Sequence, residues 1–278
     1  KTRVSQDVIA ANLRGEPFST WAGPVAVALG AEYRREKTVF DADPIANANG
    51  WFTNNGKSYK GEVKVKEAYV EAIVPLLRDS ALGKSLDLNG AVRFTRYDIS
   101  GRSSSLPATT WKIGFGYQPI AGLRFRGTYS RDVRAATLSE RFDIQQTNGS
   151  ISNDPVTGQT YNFSQTTGGN PNVAPERADT FTVGAVLRPQ WLPGLALSVD
   201  YFSVKISDAI GQLGTQNIVV QCAAGATELC DLVTRDPTTQ LITGLRNIFI
   251  NIAEERAEGL DVELSYNTRF SLLGGNES

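Results

Sequence analysis

The strongest constraint on the fold is a period of two in hydrophobicity that recurs along the chain. In one segment Leu123, Phe125 and Tyr129 alternate with arginine, threonine and serine residues. Successive side chains of a strand point to opposite faces, so this period indicates strands between two different environments. Helical periodicity is nearly absent, and we expect strands at 25–34, 63–76, 86–95, 111–118, 123–131, 180–188, 195–201, 246–252 and 259–266.

The connections between these segments alternate in length. Long loops are expected at 39–62, 98–109, 132–177 and 207–240, and short turns at 77–85, 119–122, 189–194 and 253–256. Up-and-down antiparallel strands with long loops at one end and short turns at the other are typical of outer-membrane β-barrels. We therefore predict an all-β, up-and-down antiparallel transmembrane β-barrel with long extracellular loops and short periplasmic turns. Asp-Pro turns at Asp154 and Asp236 would shape hairpins that project from the rim.

No helix is expected to span a membrane, because the most apolar run, Ala22–Ala31, has ten residues, whereas a spanning helix needs about 18 or more.

Aromatic side chains fall where a membrane interface would need them. Tyrosine and tryptophan are enriched at the two interfaces of a membrane protein. Those near predicted strand ends are Trp21, Tyr33, Tyr97, Trp111, Tyr117, Tyr129, Tyr201 and Tyr266. The pattern predicts a location in the bacterial outer membrane, in contact with its lipid.

Composition excludes several classes of function. The chain has no histidine, which removes the commonest general base and the commonest transition-metal ligand. Its net charge of −1 favours no nucleic-acid partner. Cys222 and Cys230 are either two free thiols or one disulfide, and their place in an extracellular loop favours the disulfide. We predict no enzymatic activity, no cofactor and no metal site.

Four stretches carry a resemblance to a known family. Trp21–Arg35 contains a Gly-Pro turn leading into Gly-x-Glu-Tyr-Arg, and Tyr129–Phe142 is similar to S-R-x-x-R-A-P-x-L-x-E-L-F. Gly169–Thr180 resembles G-N-P-x-L-x-P-E, and Asn247–Glu263 resembles N-x-x-x-A-x-x-x-G-x-E. Together, over roughly residues 20 to 270, they resemble the C-terminal half of the barrel of a TonB-dependent outer-membrane receptor. The second stretch departs from the family pattern, with alanine at 136 in place of proline and arginine at 141 in place of leucine.

The resemblance implies a 22-stranded barrel that is filled by an N-terminal plug and energised through a TonB-binding segment. Residues 1–278 are then expected to be about nine or ten strands of one barrel domain, a fragment without the plug and the remaining strands. The implied function is TonB-energised uptake of a scarce nutrient such as a siderophore-iron complex, cobalamin or an oligosaccharide. Its partners would be that ligand and, through the absent N-terminal segment, the TonB complex. A soluble β-rich binding or adhesion module and a small closed outer-membrane barrel remain the alternatives.

Polar residues on the predicted inward face are the candidates for a substrate path, although polar walls also serve to hydrate a large lumen. These residues are Arg93, Lys112, Arg124, Arg126, Asp261 and Glu263. Other charged residues flank the loop 132–177, and we expect them to be solvated rather than joined as a latch: Arg131, Arg134 and Glu140. A group of oxygen donors in the first long loop matches no calcium-loop template: Asp41, Asp43, Asn47 and Asn49.

Overall fold

The computed structural model describes residues 1–52, 55–151 and 153–268, and most of them lie in strands. In chain order the strands are β1 (Thr2–Thr20), β2 (Gly23–Phe40), β3 (Asn55–Gly56), β4 (Tyr59–Ser80), β5 (Gly83–Ile99), β6 (Leu106–Ile120), β7 (Leu123–Arg134), β8 (Ile144–Ile151), β9 (Tyr161–Gly168), β10 (Glu176–Leu187), β11 (Leu195–Gly211), β12 (Val233–Arg235), β13 (Ile242–Ile248) and β14 (Ile250–Tyr266). The helices are α1 (Pro44–Asn47), α2 (Leu138–Phe142), α3 (Thr215–Ala223) and α4 (Thr227–Cys230).

Nine strands form one large sheet in the order β1-β2-β4-β5-β6-β7-β10-β11-β14. Every neighbouring pair is antiparallel, and the spatial order follows the chain order once the short loop strands are set aside. This up-and-down topology confirms the predicted fold class. Within the described residues β1 and β14 each have a single neighbour in this sheet, so the sheet is open. An open sheet of this kind fits part of a larger barrel.

The two faces of the large sheet differ in chemistry. We call the apolar face the side that exposes Leu29, Val70, Phe94, Ile113, Phe125, Phe181, Tyr201 and Val262, each at least 37% exposed. We call the opposite side the polar face; it carries charged and hydroxyl side chains such as Glu67, Arg93, Lys112 and Asp200. A continuous apolar band across eight strands is far larger than the patches that soluble monomers expose, and it requires an apolar environment.

Short turns close one end of the sheet. Gly122 adopts φ +84°, and a Cβ there would come within 2.2 Å of the Arg188 carbonyl oxygen. That close approach lets the Arg188 amide donate a 2.6 Å hydrogen bond to the Gly122 carbonyl and joins two neighbouring turns. The connections at the other end run over 41–58, 100–105, 135–175 and 212–249. Three of these four connections are long, as expected. The expected long loop 98–109 is wrong, because β5 and β6 extend into it and leave only 100–105, six residues against the seven of 188–194 at the opposite end.

Three of the long connections assemble into one body instead of projecting as separate hairpins. Their strands form a second sheet in the order β12-β13-β9-β8-β3, in which β13 pairs with β9 in parallel. We call this sheet, together with α3 and α4, the cap. Its core includes Ile151, Ile218 and Val219, each at most 1% exposed. Burial of each such side chain contributes about 1.5–3 kcal/mol, and a disulfide joins Cys222 to Cys230 at the edge of this core.

The N-terminal strand β1 was missed by the sequence analysis. It pairs with β2 along nearly its whole length, with a register shift between Gly15 and Phe18. Its pattern is poor because Val4 and Val8 fall on the polar face, while Ser5 and Asp7 fall on the opposite side. The segment is a strand because its backbone groups form hydrogen bonds with β2, although its side chains lack the expected alternation.

The predicted turn at 253–256 is wrong, because β14 runs without interruption through it. Glu255 pairs with Ile206 and Arg256 pairs with Lys205 of β11. The charged residues of this segment lie on the part of β14 nearest the long connections, beyond the apolar band. The predicted strand 246–252 is accordingly divided between β13 in the cap and the start of β14.

In the part of the chain that the structure describes, no helix has the length and the apolar character to cross a membrane.

Candidate functional site

The polar face holds a groove of about 580 Å³ that brings two of the candidate residues together, Arg93 and Lys112. Arg93 lies on β5 directly opposite Tyr69 of β4, and its guanidinium carbon is 5.1 Å from the centre of the Tyr69 ring. Its Nη1 is 3.9 Å from the Glu67 carboxylate, which also accepts a 2.8 Å hydrogen bond from Thr95. Cationic, acidic and aromatic groups are thus placed along one polar wall. Such a wall can bind a polar ligand or the surface of a protein segment.

The second pair of candidates, Arg124 and Arg126, lies nearer the short turns. Arg126 donates from Nε (2.8 Å) and Nη2 (2.6 Å) to the two oxygens of Asp200, so its charge is already matched. Gly184 makes room for this pair, because a Cβ there would be 1.9 Å from an Asp200 oxygen. Arg124 lies in a separate groove with Gln118 and Arg188. Arg126 therefore stabilises the wall, and Arg124 is the more available cation.

The last pair, Asp261 and Glu263, is remote from the first groove. In the register of β14 with β11, Asp261 lies opposite Asp200 and Glu263 opposite Ser198. The six candidates thus share the polar face but are distributed over three places. The alternation in the sequence correctly placed these residues on one face of the sheet. The strand register, which the sequence does not reveal, sets the distances between them.

Two of the charged residues flanking the loop 135–175, Arg134 and Glu140, form a latch, so the expectation that they are solvated is wrong. Its guanidinium is 2.6 Å from a Glu176 oxygen and 3.0 Å from a Glu140 oxygen. Glu140 also completes a capping box with Thr137 at the start of α2. Arg131 pairs separately with Asp179 at 2.7 Å on the other side of the sheet. The latch joins the end of β7 to the start of β10 and to the loop between them.

Arg141, one of the two departures from the family pattern, is completely buried beneath this loop. Its Nη1 donates to the carbonyl oxygens of Pro171 (3.3 Å) and Val173 (3.0 Å). Burial lowers the pKa of Arg141 to about 10, so the side chain keeps its charge at neutral pH. The arginine therefore fastens α2 to the Gly-Asn-Pro segment, a contact that leucine would not make.

A buried ion pair holds the cap together. Asp154 is fully buried and accepts hydrogen bonds from Arg235 Nη1 (2.7 Å) and Nη2 (2.9 Å), and from the Tyr161 hydroxyl. The Arg235 guanidinium holds the pKa of the Asp154 carboxyl far below its usual range. The Asp-Pro turn connects β8 to β9, with the Gly158 amide, four residues on, donating to the Asp154 carbonyl in place of the bond from residue 157 that a type I turn would make. The ionic partner lies 81 positions away, and no local signal in the sequence announces it.

Two of the four candidate oxygen ligands in the first long loop, Asn47 and Asn49, contact a lysine instead of a metal site. The Lys57 ammonium donates to the carbonyl oxygens of Ala46 and Asn47 and to Oδ1 of Asn49. Asp43 is used differently, since its carboxylate caps α1 at the amides of Ile45 and Ala46. These oxygens thus organise the loop around a cation that the chain itself supplies.

Comparison with known proteins identifies the type of chain that carries these features. The family model described as "TonB dependent receptor-like, beta-barrel" matches residues 3–277. No curated protein matches the sequence.

Among solved structures, the siderophore receptor PirA from Acinetobacter baumannii aligns with a TM-score of 0.63 at 14% identity, over 96% of this chain and 35% of that one. PirA from Pseudomonas aeruginosa gives 0.60 at 15% identity, over 95% and 40%. The FrpB iron transporter from Neisseria meningitidis (F3-3 variant) gives 0.57 at 15% identity, over 96% and 34%. At such identities the similarity shows the fold, and the chain spans little more than a third of the length of these proteins.

Proposed function

Because the chain belongs to the TonB-dependent receptor-like β-barrel family, we propose that it is part of an outer-membrane receptor for active uptake of a scarce nutrient. The observation that carries the proposal is the family match over residues 3–277, nearly the whole chain. The energy for uptake would come from the TonB complex, acting through a segment outside this sequence. The protein acts as a transporter in this proposal, with no catalytic step.

The exposed apolar band supports a membrane location. Leu260, Val262 and Leu264 on β14 are all more than 60% exposed, and they continue the band formed by the other strands. A soluble binding or adhesion module would have to cover this band with a second sheet. The strands β2 to β14 of the large sheet instead face the lipid with this side in our proposal, and the polar face lines the lumen.

The cap supports capture of the ligand on the extracellular side. It is built from three connections and has its own apolar core, so its surface is preorganised before a ligand arrives. The groove with Arg93 and Lys112 lies on the polar face and extends to Arg134, where β7 ends and a long connection begins. We propose that ligand passes from the cap along this wall, with Arg124 nearer the periplasmic turns and Asp261 and Glu263 on the far strand.

A siderophore-iron complex is the first substrate to test, since PirA proteins are siderophore receptors and FrpB is an iron transporter. Cobalamin and oligosaccharides are the other nutrient classes consistent with the family resemblance. Ferric siderophores are often anionic, and cations on the polar wall would favour their entry.

The test uses the full-length receptor in its own cells, grown under iron limitation. We expect the protein in the outer-membrane fraction, and uptake of radiolabelled iron, presented as the siderophore from the organism's own spent medium, to fall at least tenfold on gene deletion. Deletion of the TonB gene should reduce uptake equally. Recovery of native protein in the soluble fraction would refute the membrane receptor. If deletion leaves iron uptake unchanged but abolishes uptake of labelled cobalamin or oligosaccharide, the substrate is that nutrient instead, and the proposal of an outer-membrane receptor still holds.

A further inference from the structure

Beyond the apolar band, toward the long loops, the apolar side of β2, β4 and β5 becomes strongly basic. We call the basic belt the side chains of Arg35, Lys37, Lys60, Lys64, Lys66 and Arg96. Most are well exposed, with 58% of the Lys66 side chain and 67% of the Arg96 side chain accessible. In each strand the belt begins next to an apolar residue on the same side of the sheet, Tyr33 in β2, Ala68 in β4 and Phe94 in β5.

The basic belt contains more positive charge than its own carboxylates can neutralise. Glu62 is shared by Arg35 (2.7 Å), Lys64 (3.2 Å) and Lys37 (3.6 Å). Asp98 is shared by Lys66 (3.1 Å) and Arg96 (3.9 Å). Six cations and two carboxylates leave a surplus of four positive charges. On β1, Asp7 lies opposite Arg35 and Arg3 lies further along the same side, so β1 adds no net charge to this side.

Like charges also lie directly opposite each other within the basic belt. In the sheet register Lys66 faces Arg96, and Arg35 faces Lys64. Such cross-strand pairs on one face destabilise a sheet unless a counter-charge lies between them, and here each pair shares a single carboxylate, Glu62 or Asp98. One carboxylate for each pair of cations leaves a net positive charge, which favours binding of an anion from outside the chain at this place.

The other half of the sheet provides a contrast at the corresponding end. There each cation has a carboxylate of its own, with Arg131–Asp179 at 2.7 Å, Arg177–Asp208 at 2.5 Å, Lys205–Glu254 at 3.0 Å and Arg256–Glu258 at 2.9 Å. These four pairs balance, and we call them the paired belt. The surplus of charge is thus confined to β2, β4 and β5.

We propose that the basic belt binds the phosphate groups of a lipid headgroup in the outer leaflet, an inference that rests on the proposed outer-membrane location. Phe94 and Arg96 are two residues apart, which is about 7 Å along a strand. A phosphate held by Lys66 and Arg96 would therefore place its acyl chains against the apolar band. A free phosphate has no such second contact, so the adjacency favours a lipid. Lysine and arginine at a membrane surface bind anionic headgroups in this way, through charge-assisted hydrogen bonds.

The test uses the full-length receptor, delipidated in detergent, and lipid A, a phosphorylated and acylated disaccharide, as the probe. We expect the double variant K66Q/R96Q to bind lipid A at least tenfold more weakly than the wild type, as measured by titration and native mass spectrometry. The matched control R131Q/R177Q removes two cations from the paired belt, and its affinity should change less than twofold. K66Q alone should show an intermediate loss, which keeps the test valid if the double variant is recovered poorly.

Two further probes identify the source of the phosphate. Dephosphorylated lipid A should bind the wild type as weakly as lipid A binds the double variant. Inorganic phosphate at millimolar concentration should leave lipid A bound; displacement would indicate a site for soluble anions and overturn the lipid assignment. Equal binding of lipid A by wild type and double variant would overturn the proposal outright. If the receptor is in the outer membrane and imports iron but binds lipid A and dephosphorylated lipid A equally, only this inference fails. Recovery of the protein in the soluble fraction would instead refute the proposed function.

Discussion

The ion pair between Asp154 and Arg235 provides the sharpest test of how the cap is held together. In Asp154→Asn the side chain stays nearly isosteric, so packing is preserved. The carboxylate charge is lost, and the new amide nitrogen faces donors from Arg235 and Tyr161. At least two charge-assisted hydrogen bonds disappear, at about 1.5 kcal/mol each. A loss of about 3 kcal/mol results, at the lower end of the range for breaking a buried ion pair.

A loss of about 3 kcal/mol raises the equilibrium constant for opening of the cap roughly 100-fold, since about 1.4 kcal/mol corresponds to a factor of ten. Hydrogen exchange followed by mass spectrometry should show this increase in β9, where Tyr161 begins the strand, and in β13, whose Ile242 amide donates to the Tyr161 hydroxyl at 2.9 Å. The strands β4 to β7 of the large sheet should keep their protection. Asp236→Asn is the matched control, because Asp236 opens the other Asp-Pro turn and its carboxylate accepts hydrogen bonds from the nearby Thr238 and Thr239.

The same pair predicts the response of the cap to acid. The folded-state pKa of Asp154 is lowered, first by Arg235, so its contribution is fully present above the unfolded pKa of about 3.9. It declines as the pH falls below about 4 toward the lower folded value. Wild-type protection in the cap should therefore weaken in this range, and Asp154→Asn should remove that dependence. Equal exchange in wild type and Asp154→Asn at pH 7, or an equally large effect of Asp236→Asn, would refute the reasoning.

Three further predictions concern other contacts of the chain. Replacing both Cys222 and Cys230 with serine should lower the unfolding free energy of the cap by about 2–3 kcal/mol, the value that the chain-entropy relation gives for a short loop. The loss should appear as faster hydrogen exchange in α3 and α4. Equal exchange with and without the disulfide would contradict this prediction. Gly184→Val should displace the Asp200 carboxylate and separate it from Arg126, lowering the melting temperature of the receptor, whereas Gly15→Val meets no atom within 4 Å and should have a smaller effect. Arg134→Gln should release the latch to Glu140 and Glu176 and raise exchange in 135–142 without changing the cap; unchanged exchange there would show that the ion pairs contribute nothing.

Most of the large sheet was accessible from the sequence because its signal is local. A side chain on a strand alternates faces whatever the strand pairs with, so Leu123, Phe125 and Tyr129 were assigned to one face before any register was known. The same rule placed Arg93, Lys112 and Arg126 on the polar face. It failed for β1, where Val4 and Asp7 fall on the faces opposite to expectation, and for 253–256, where a charged stretch is part of a strand.

The tertiary structure decided which of these residues act together. Arg126 is matched by Asp200 across 74 positions, and Asp154 by Arg235 across 81, because strand register and loop packing bring distant segments within hydrogen-bond distance. The cap depends on the same long-range pairing, since each of its strands is too short to be stable without the others. The sequence by itself therefore determined most strands of the large sheet, their two faces and the end that carries the long loops. Only the folded chain determined the assembly of the loops into a cap and the uneven distribution of charge between the basic belt and the paired belt, because both depend on contacts between residues far apart in the sequence.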